Sequence, residues 1–107
     1  MTKQEVRILP PAKEYIESIP GKDQGAVAAD IKTMQSGDFD SISTKQLKGP
    51  VRELIVGVHR ISYFSLQQIL WFVHGFRKKT RKAPRNEIEY AGNVYKTISN
   101  TFKKTNK

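Results

Sequence analysis

A cluster of basic residues in the second half of the chain is the strongest chemical signal in the sequence. Six of the nine residues from Arg77 to Arg85 are Lys or Arg, and the run directly follows the apolar segment Ile69–Phe76. Clustered basic side chains favour polyanionic partners, most often nucleic acids, because binding releases the counterions held by the phosphates. A solvated basic loop is the plainer interpretation. The preceding apolar segment favours a binding role, since a rigid strand would hold the cluster in place.

Charge is unevenly distributed along the 107 residues, whose formal net charge is +9. Residues 1–47 contain six basic and seven acidic residues, whereas residues 48–107 contain thirteen and three. The chain has no Cys, which excludes a disulfide framework, a thiolate metal site and a Cys nucleophile. Its two His residues are fifteen positions apart and form no metal-ligand pattern, and no Gly-rich phosphate loop is present. We therefore predict no metal and no cofactor.

The length predicts one domain, residues 1–107, with a single modest core. The longest apolar run, Ile69–Phe76, is too short to span a bilayer, and the first residues lack the apolar region of a secretory signal. We expect no membrane association and a cytoplasmic location.

Hydrophobic spacing predicts two short helices after an extended segment, Val6–Leu9. The first helix has apolar residues spaced 3, 1 and 3 apart, at Ala12, Tyr15, Ile16 and Ile19. The second begins with Asp23 as its N-cap and ends at Gly37, a typical C-terminal glycine. The tight turn between them favours an antiparallel helical hairpin. Residues 37–50 are predicted to be an irregular link.

From Val51 onward the apolar residues alternate, which predicts a β-hairpin of Val51–Val56 with His59–Ser65. Gly57 suits the first central position of a type II′ turn, which would pair Val56 with His59. The predicted core face carries Leu54, Val56, Ile61 and Tyr63. The opposite face is mixed, and we expect it to be open; it carries Glu53, Ile55, Arg60, Ser62 and Phe64.

A third strand and a final helix complete the predicted fold. Ile69–Phe76 is apolar on both faces, as in a central strand, and His74 is expected in phase with Leu70, Phe72 and Phe76. The helix from Pro84 to Phe102 is predicted from a regular apolar stripe of Ile88, Ala91, Tyr95, Ile98 and Phe102. The fold class is therefore α+β: a small antiparallel sheet with two N-terminal helices and one C-terminal helix packed on it.

Five short motifs follow one another between residues 47 and 90. They are Leu47-Lys48-Gly49, Glu53-Leu54, Arg60-Ile61-Ser62-Tyr63, His74-Gly75-Phe76-Arg77-Lys78-Lys79-Thr80 and Glu87-Ile88. In this order they resemble the RelE/HigB superfamily of type II toxins, and within it the phage-derived HigB-like branch. The chain departs from the family pattern at Ile55, where an Arg is usual, and at Arg52, where an aromatic residue is usual.

The resemblance implies a RelE-like fold and a toxin of a toxin–antitoxin pair. Most such toxins are endoribonucleases that cut mRNA, many of them on the ribosome. It also implies a helix-turn-helix antitoxin as partner, in a hetero-oligomeric complex. Two alternatives remain: a toxin of the same fold that inhibits DNA gyrase, as in the ParE branch, or a decayed, non-catalytic RNA-binding protein.

Metal-independent RNA cleavage needs a base for the 2′-hydroxyl, cations for the charge that develops on phosphorus, and an acid for the leaving oxygen. The candidate catalytic residues are Arg60, Lys48, Lys78, Lys79 and His74. Arg60 suits phosphate because its guanidinium donates two parallel hydrogen bonds. Its alternative role is a salt bridge to Glu53, contributing only ~0.2–1 kcal/mol. We expect Arg60→Ala to abolish cleavage and to leave folding and antitoxin binding intact.

Other residues are candidates for RNA binding rather than chemistry. They are Arg52, Arg77, Arg81, Lys82, Arg85 and Tyr90. Tyr90 lies one position off the apolar stripe of the last helix, so it could stack on a base, donate a proton or simply pack. A lone His in an apolar strand is more often structural than catalytic, and His74 keeps both interpretations.

Overall fold

The computed structural model describes residues 4–105. The elements follow the order β1 (Glu5–Ile8), α1 (Pro10–Ser18), α2 (Gly21–Gln35), β2 (Thr44–Lys48), β3 (Val51–Val56), β4 (His59–Leu66), β5 (Ile69–Arg77) and α3 (Arg85–Thr105). This arrangement confirms the α+β class, with two helices before the main strands and one helix after them. No helix in this part of the chain has the length and hydrophobicity needed to cross a membrane.

The five strands form one sheet in the order β1-β5-β4-β3-β2. The β2–β3, β3–β4 and β4–β5 pairs are antiparallel, but β1 pairs with β5 in parallel, so the sheet is mixed. The expectation of a purely antiparallel sheet is therefore corrected at β1. Two helices and three strands separate β1 from β5, so no tight turn fixes their direction.

The β3–β4 hairpin has the predicted register. Val56 pairs with His59, Ile55 with Arg60, Leu54 with Ile61 and Glu53 with Ser62. Gly57 has a φ of 60°, as the first central residue of a type II′ turn requires. The register fixes which side chains share a face, and it places Glu53 and Arg60 together.

The strand β2 corrects the prediction of an irregular link over residues 37–50. Thr44–Lys48 pairs with β3, and Lys45 lies opposite Glu53. The segment is mostly polar because β2 is an edge strand whose residues are exposed or half-buried. Hydrophobic alternation is too weak in such a strand to reveal it.

The sheet has helices on both faces. The α1 and α2 side buries Leu54, Ile61 and Tyr63, which confirms the predicted core face. On the opposite side α3 covers Phe64 and Val51, although this face was expected to be open. The predicted stripe of α3 makes this contact: Ala91 is buried, and Tyr95 and Ile98 pack against the same cluster. Only the end of this face beyond the start of α3 stays uncovered.

A β-bulge in β5 corrects the predicted phase of His74. Ser62 pairs with His74 and Tyr63 with Phe72, so Val73 has no partner in the ladder. The extra residue turns the following side chains over. Leu70 and Phe72 face α1 and α2, whereas His74 and Phe76 face the side of α3.

Asp23 was predicted to be the N-cap of α2, but in the structure it binds a buried histidine instead. The helix starts at Gly21, which places Asp23 in its first turn. The Nε2–H of His59 donates to Asp23 Oδ2 at 2.9 Å, and Tyr15 O–H donates to His59 Nδ1 at 2.6 Å. This chain of hydrogen bonds ties α1 and α2 to the β3–β4 turn. At its other end α2 is followed by Gly37, with a φ of 91°, as predicted.

Candidate active site

A cleft lies at the end of the sheet that α3 leaves uncovered, and we call it the basic cleft. Strand residues form its floor and one side: Lys45, Glu53, Ile55, Arg60 and Phe76. The loop of residues 78–84, between β5 and α3, forms the opposite wall. The hairpin register and the bulge in β5 together point these strand side chains to the same face.

Arg60 is fixed at the floor of this cleft and is only 8% exposed. Its Nη1 donates to the carbonyl oxygens of Gly57 at 2.7 Å and His59 at 3.0 Å. Its Nε lies 3.9 Å from Glu53 Oε1. Nη2 makes no hydrogen bond with any described residue and is not sealed from solvent, so it remains available to a ligand.

Glu53 is a buried carboxyl beside Arg60, with 4% of the residue exposed. Its Oε2 has no hydrogen-bond partner among the described residues. Burial raises the pKa of Glu53, and the positive charges of Arg60, Lys45 and Lys78 only partly oppose this. A carboxyl with a raised pKa in a cleft is a candidate for proton transfer.

Cations dominate the rest of the cleft. The lining residues with positive charge are Lys45, Arg60, Lys78, Lys79, Arg81 and Lys82, against the single acid Glu53 among those described. The backbone N–H of Lys78 donates to the carbonyl of Val58 at 2.7 Å, which anchors the start of the loop on the β3–β4 turn. Such a wall can hold the phosphates of a polyanion.

Five of the predicted site residues meet in the basic cleft: Arg60, Lys78, Lys79, Arg81 and Lys82. Four others lie elsewhere. Lys48 lines a separate groove between the β2–β3 turn and α3. Arg52 donates to Thr44 Oγ1 at 3.0 Å, and the register places it on the face of α1 and α2. Arg77 is opposite His59, and Arg85 is exposed and pairs with Glu89 at 3.1 Å.

His74 and Tyr90 lie in a second depression, the side cleft, which Pro11, Asn86 and Glu87 complete. His74 Nδ1 is 2.5 Å from Glu87 Oε1. The rings of His74 and Tyr90 meet edge to face, with centroids 5.8 Å apart. The structure thus separates these two predicted residues from Arg60.

Sequence reasoning missed Lys45 as a lining residue and treated Glu53 only as an ion-pair partner. Lys45 belongs to β2, which the hydrophobic pattern did not reveal. The strand contains a single apolar residue, Leu47, so no alternation in the sequence could have placed Lys45 on a strand. In residues 4–105 no three His, Cys, Asp or Glu side chains group together so as to hold a metal ion.

Solved structures place this arrangement in the RelE-like fold. A chain of the toxin-antitoxin complex RelBE2 from Mycobacterium tuberculosis matches with a TM-score of 0.59 and 11% identity, over 72% of this chain and 100% of that one. A chain of the archaeal RelE-RelB complex from Pyrococcus horikoshii OT3 matches with a TM-score of 0.60 and 14% identity, over 75% and 99%. At these identities the likeness defines the fold alone.

The family assignment comes from the sequence. Residues 14–96 match the family described as phage derived protein Gp49-like (DUF891), so the chain belongs to this family. A comparison with curated proteins gave no match. The family match confirms the predicted resemblance to a phage-derived family, and the two solved structures confirm the RelE-like fold.

Proposed function

We propose that this Gp49-like protein is the toxin of a type II toxin–antitoxin pair and an endoribonuclease that cleaves mRNA. One observation carries the proposal: a buried Arg–Glu pair forms the floor of a cleft whose wall is a run of Lys and Arg. Such a cleft combines an anion site with a group able to move a proton. RNA cleavage needs both.

The proposed reaction is an internal transfer at phosphorus. The 2′-oxygen of a ribose forms a bond to the adjacent phosphorus, and the bond from phosphorus to the 5′-oxygen of the next nucleotide breaks. The 2′-hydroxyl proton goes to a base, and the leaving 5′-oxygen takes a proton from an acid. The products are a 2′,3′-cyclic phosphate and a 5′-hydroxyl, and the scheme needs no metal ion.

The cleft residues supply the parts of this reaction. Nη2 of Arg60 and the ammonium groups of Lys78 and Lys79 would stabilise the charge that develops on the phosphoryl oxygens. Glu53, which lines the cleft and whose pKa burial raises, is the candidate base for the 2′-hydroxyl. A lysine ammonium group at the rim can return a proton to the leaving oxygen. Arg81 and Lys82 would hold flanking phosphates.

The proposal extends to the partners. The two structural neighbours come from a toxin-antitoxin complex and a RelE-RelB complex, which supports a cognate antitoxin for this chain. Following the resemblance, we assign a helix-turn-helix antitoxin, with an acidic segment that covers the basic cleft. Cleavage on the ribosome, in the cytoplasm, is also part of the proposal, since ribosomal RNA offers further phosphates to the cationic loop.

The nature of the RNA ends tests this proposal. Purified protein is incubated with a defined mRNA, with and without translating ribosomes, and the new 5′ ends are ligated to an adaptor that requires a 5′-phosphate. Ligation only after treatment with a polynucleotide kinase is expected, because attack by the 2′-hydroxyl leaves a 5′-hydroxyl. Intact mRNA under both conditions would contradict the proposal. If production of the protein in a bacterial host stops growth although no mRNA is cleaved, the gyrase-inhibitor alternative is favoured instead.

A further inference from the structure

The side cleft lies beside the basic cleft, on the other flank of the start of α3. Pro84 lines the basic cleft, while Asn86 and Glu87, two and three residues later, line the side cleft. A nucleic-acid strand bound in the basic cleft would therefore reach the side cleft within a short stretch of chain.

The side cleft fits a base better than a phosphate. Its lining residues are Pro11, His74, Asn86, Glu87 and Tyr90, and none of them is Lys or Arg. Glu87 would repel a phosphate placed there. A nucleobase is uncharged, and it has a π-face and hydrogen-bonding edges that such a lining can meet.

Glu87 sets the hydrogen-bonding character of His74. An ionised carboxylate only accepts hydrogen bonds, so the contact at 2.5 Å places a proton on Nδ1 of His74. Nε2 makes no hydrogen bond with any described residue, so it can hydrogen-bond to the edge of a base. The His74 side chain is 34% exposed, so this ring nitrogen is open to a ligand.

Tyr90 adds an exposed aromatic surface next to this ring nitrogen. It is 44% exposed, and its ring meets the imidazole edge to face. Bases of single-stranded RNA stack on such aromatic side chains without strong sequence preference. The ring nitrogen and the stacking surface lie side by side, as recognition of one base requires.

We propose that the side cleft binds one unpaired base of the RNA whose phosphates occupy the basic cleft. The base stacks on Tyr90, and a polar group on its edge hydrogen-bonds to Nε2 of His74. His74 is then a base-recognition residue that Glu87 positions, and it takes no part in proton transfer. This inference rests on the proposed function in one respect, that the ligand is RNA.

Binding of a non-cleavable RNA tests the inference. The probe is a fluorescein-labelled hexaadenylate with fluorine in place of each 2′-hydroxyl, compared by fluorescence anisotropy with the same backbone lacking its bases. We expect Tyr90→Ala to weaken hexaadenylate binding about fivefold or more, as the loss of one stacked base does. Affinity for the abasic backbone should stay unchanged, and Tyr90→Phe should keep the wild-type affinity.

His74→Phe removes both ring nitrogens and keeps an aromatic ring. We expect a loss of roughly fivefold for hexaadenylate, the value of one hydrogen bond, and none for the abasic backbone. Phe39→Ala is the matched control, because Phe39 is an exposed aromatic residue, 37% exposed, that does not line either cleft. Thermal melting of each variant shows that it is folded.

The outcomes separate this inference from the proposed function. Equal affinity of the wild-type protein for hexaadenylate and the abasic backbone would overturn the base site. Unchanged binding by Tyr90→Ala would do the same. In either case intact mRNA cleavage would leave the proposed function standing. If Tyr90→Ala loses binding to both probes, the base site is also overturned, because the effect would not involve a base.

Discussion

Arg60 and Glu53 form an ion pair inside the basic cleft, with Nε and Oε1 3.9 Å apart and both side chains at least nine-tenths buried. Sequence reasoning treats this pair as an alternative to a role for Arg60 in RNA cleavage. The structure makes the two compatible, because the pair itself lies in the cleft floor and leaves Nη2 unbonded. Arg60 therefore stabilises the fold as well as the cleft.

Replacement of Arg60 by Ala is expected to destabilise the protein, which changes the expectation from the sequence that this variant folds normally. Removing one partner of a buried ion pair typically costs roughly 3–5 kcal/mol, because the other charge is left uncompensated. Urea denaturation of the purified protein measures the change in the free energy of unfolding. Arg85→Ala is the control: its side chain is 91% exposed, and its loss should cost less than about 0.5 kcal/mol. An equally small cost for Arg60→Ala would contradict the buried pair.

The raised pKa of Glu53 predicts a pH-dependent stability. Because burial raises this pKa in the folded state, the folded protein binds the Glu53 proton more tightly than the unfolded chain. The contribution of this proton to the free energy of unfolding is fully present below 4.5, the pKa in the unfolded chain. It is lost as the pH rises through the pKa of Glu53 in the folded protein. Denaturation series in this range should show the decline in the wild-type protein and its absence in Glu53→Gln. If stability changes with pH in the same way in the wild-type protein and in Glu53→Gln, burial does not raise the pKa of this carboxyl.

Gly75 is expected to tolerate no side chain. A Cβ there would lie 2.8 Å from Tyr15 Cβ and closer to the Tyr15 ring, and Tyr15 is held in place by His59. Gly75→Ala should lower the free energy of unfolding by about 1–3 kcal/mol, as other overpacked cores do. Gly25→Ala is the matched control in helix α2, where a Cβ meets nothing within 4 Å. It should raise stability by about 0.5–1 kcal/mol. A harmless Gly75→Ala would mean that Tyr15 does not pack on β5.

The wall of the basic cleft predicts the salt dependence of RNA binding. Each phosphate contact that is removed should lower the slope of log affinity against log salt by about 1. The double variant with Lys79→Ala and Arg81→Ala should therefore lower this slope by about 2. The slope is measured by fluorescence anisotropy with the 2′-fluoro hexaadenylate. Lys13→Ala with Lys22→Ala removes the same charge from exposed positions outside the cleft. Equal slopes for the two double variants would place the RNA elsewhere.

Strong local patterns predicted the parts of the fold that they govern. Gly57 and the alternation around it were sufficient for the register of β3 and β4, because a two-residue turn fixes the pairing of its strands. The regular apolar stripe likewise predicted α3 and the face it buries. The order of the predicted elements was sufficient for the α+β class, and the family motifs predicted the RelE-like fold.

Other features depend on tertiary context that a local pattern does not contain. The bulge at Val73 moved His74 to the other face, and no residue nearby marks its position. The edge strand β2 is too polar to be recognised, so Lys45 was missed. Asp23 has an N-cap residue type, but His59, 36 positions away, takes its carboxylate. The basic loop was predicted as a cluster, whereas its wall-like position opposite Arg60 required the structure.

The central claim, cleavage of mRNA in the basic cleft, is tested most directly by mapping transcript 5′ ends after brief induction in a bacterial host. The wild-type protein is compared with the double variant that carries Lys79→Ala and Arg81→Ala. Each protein is tested with a translated reporter and with a reporter whose start codon is removed. We predict new ends inside reading frames for the wild-type protein, only in the translated reporter, and a marked reduction for the double variant. Cuts without translation would make the protein a free ribonuclease, and growth arrest without new ends would contradict RNA cleavage altogether.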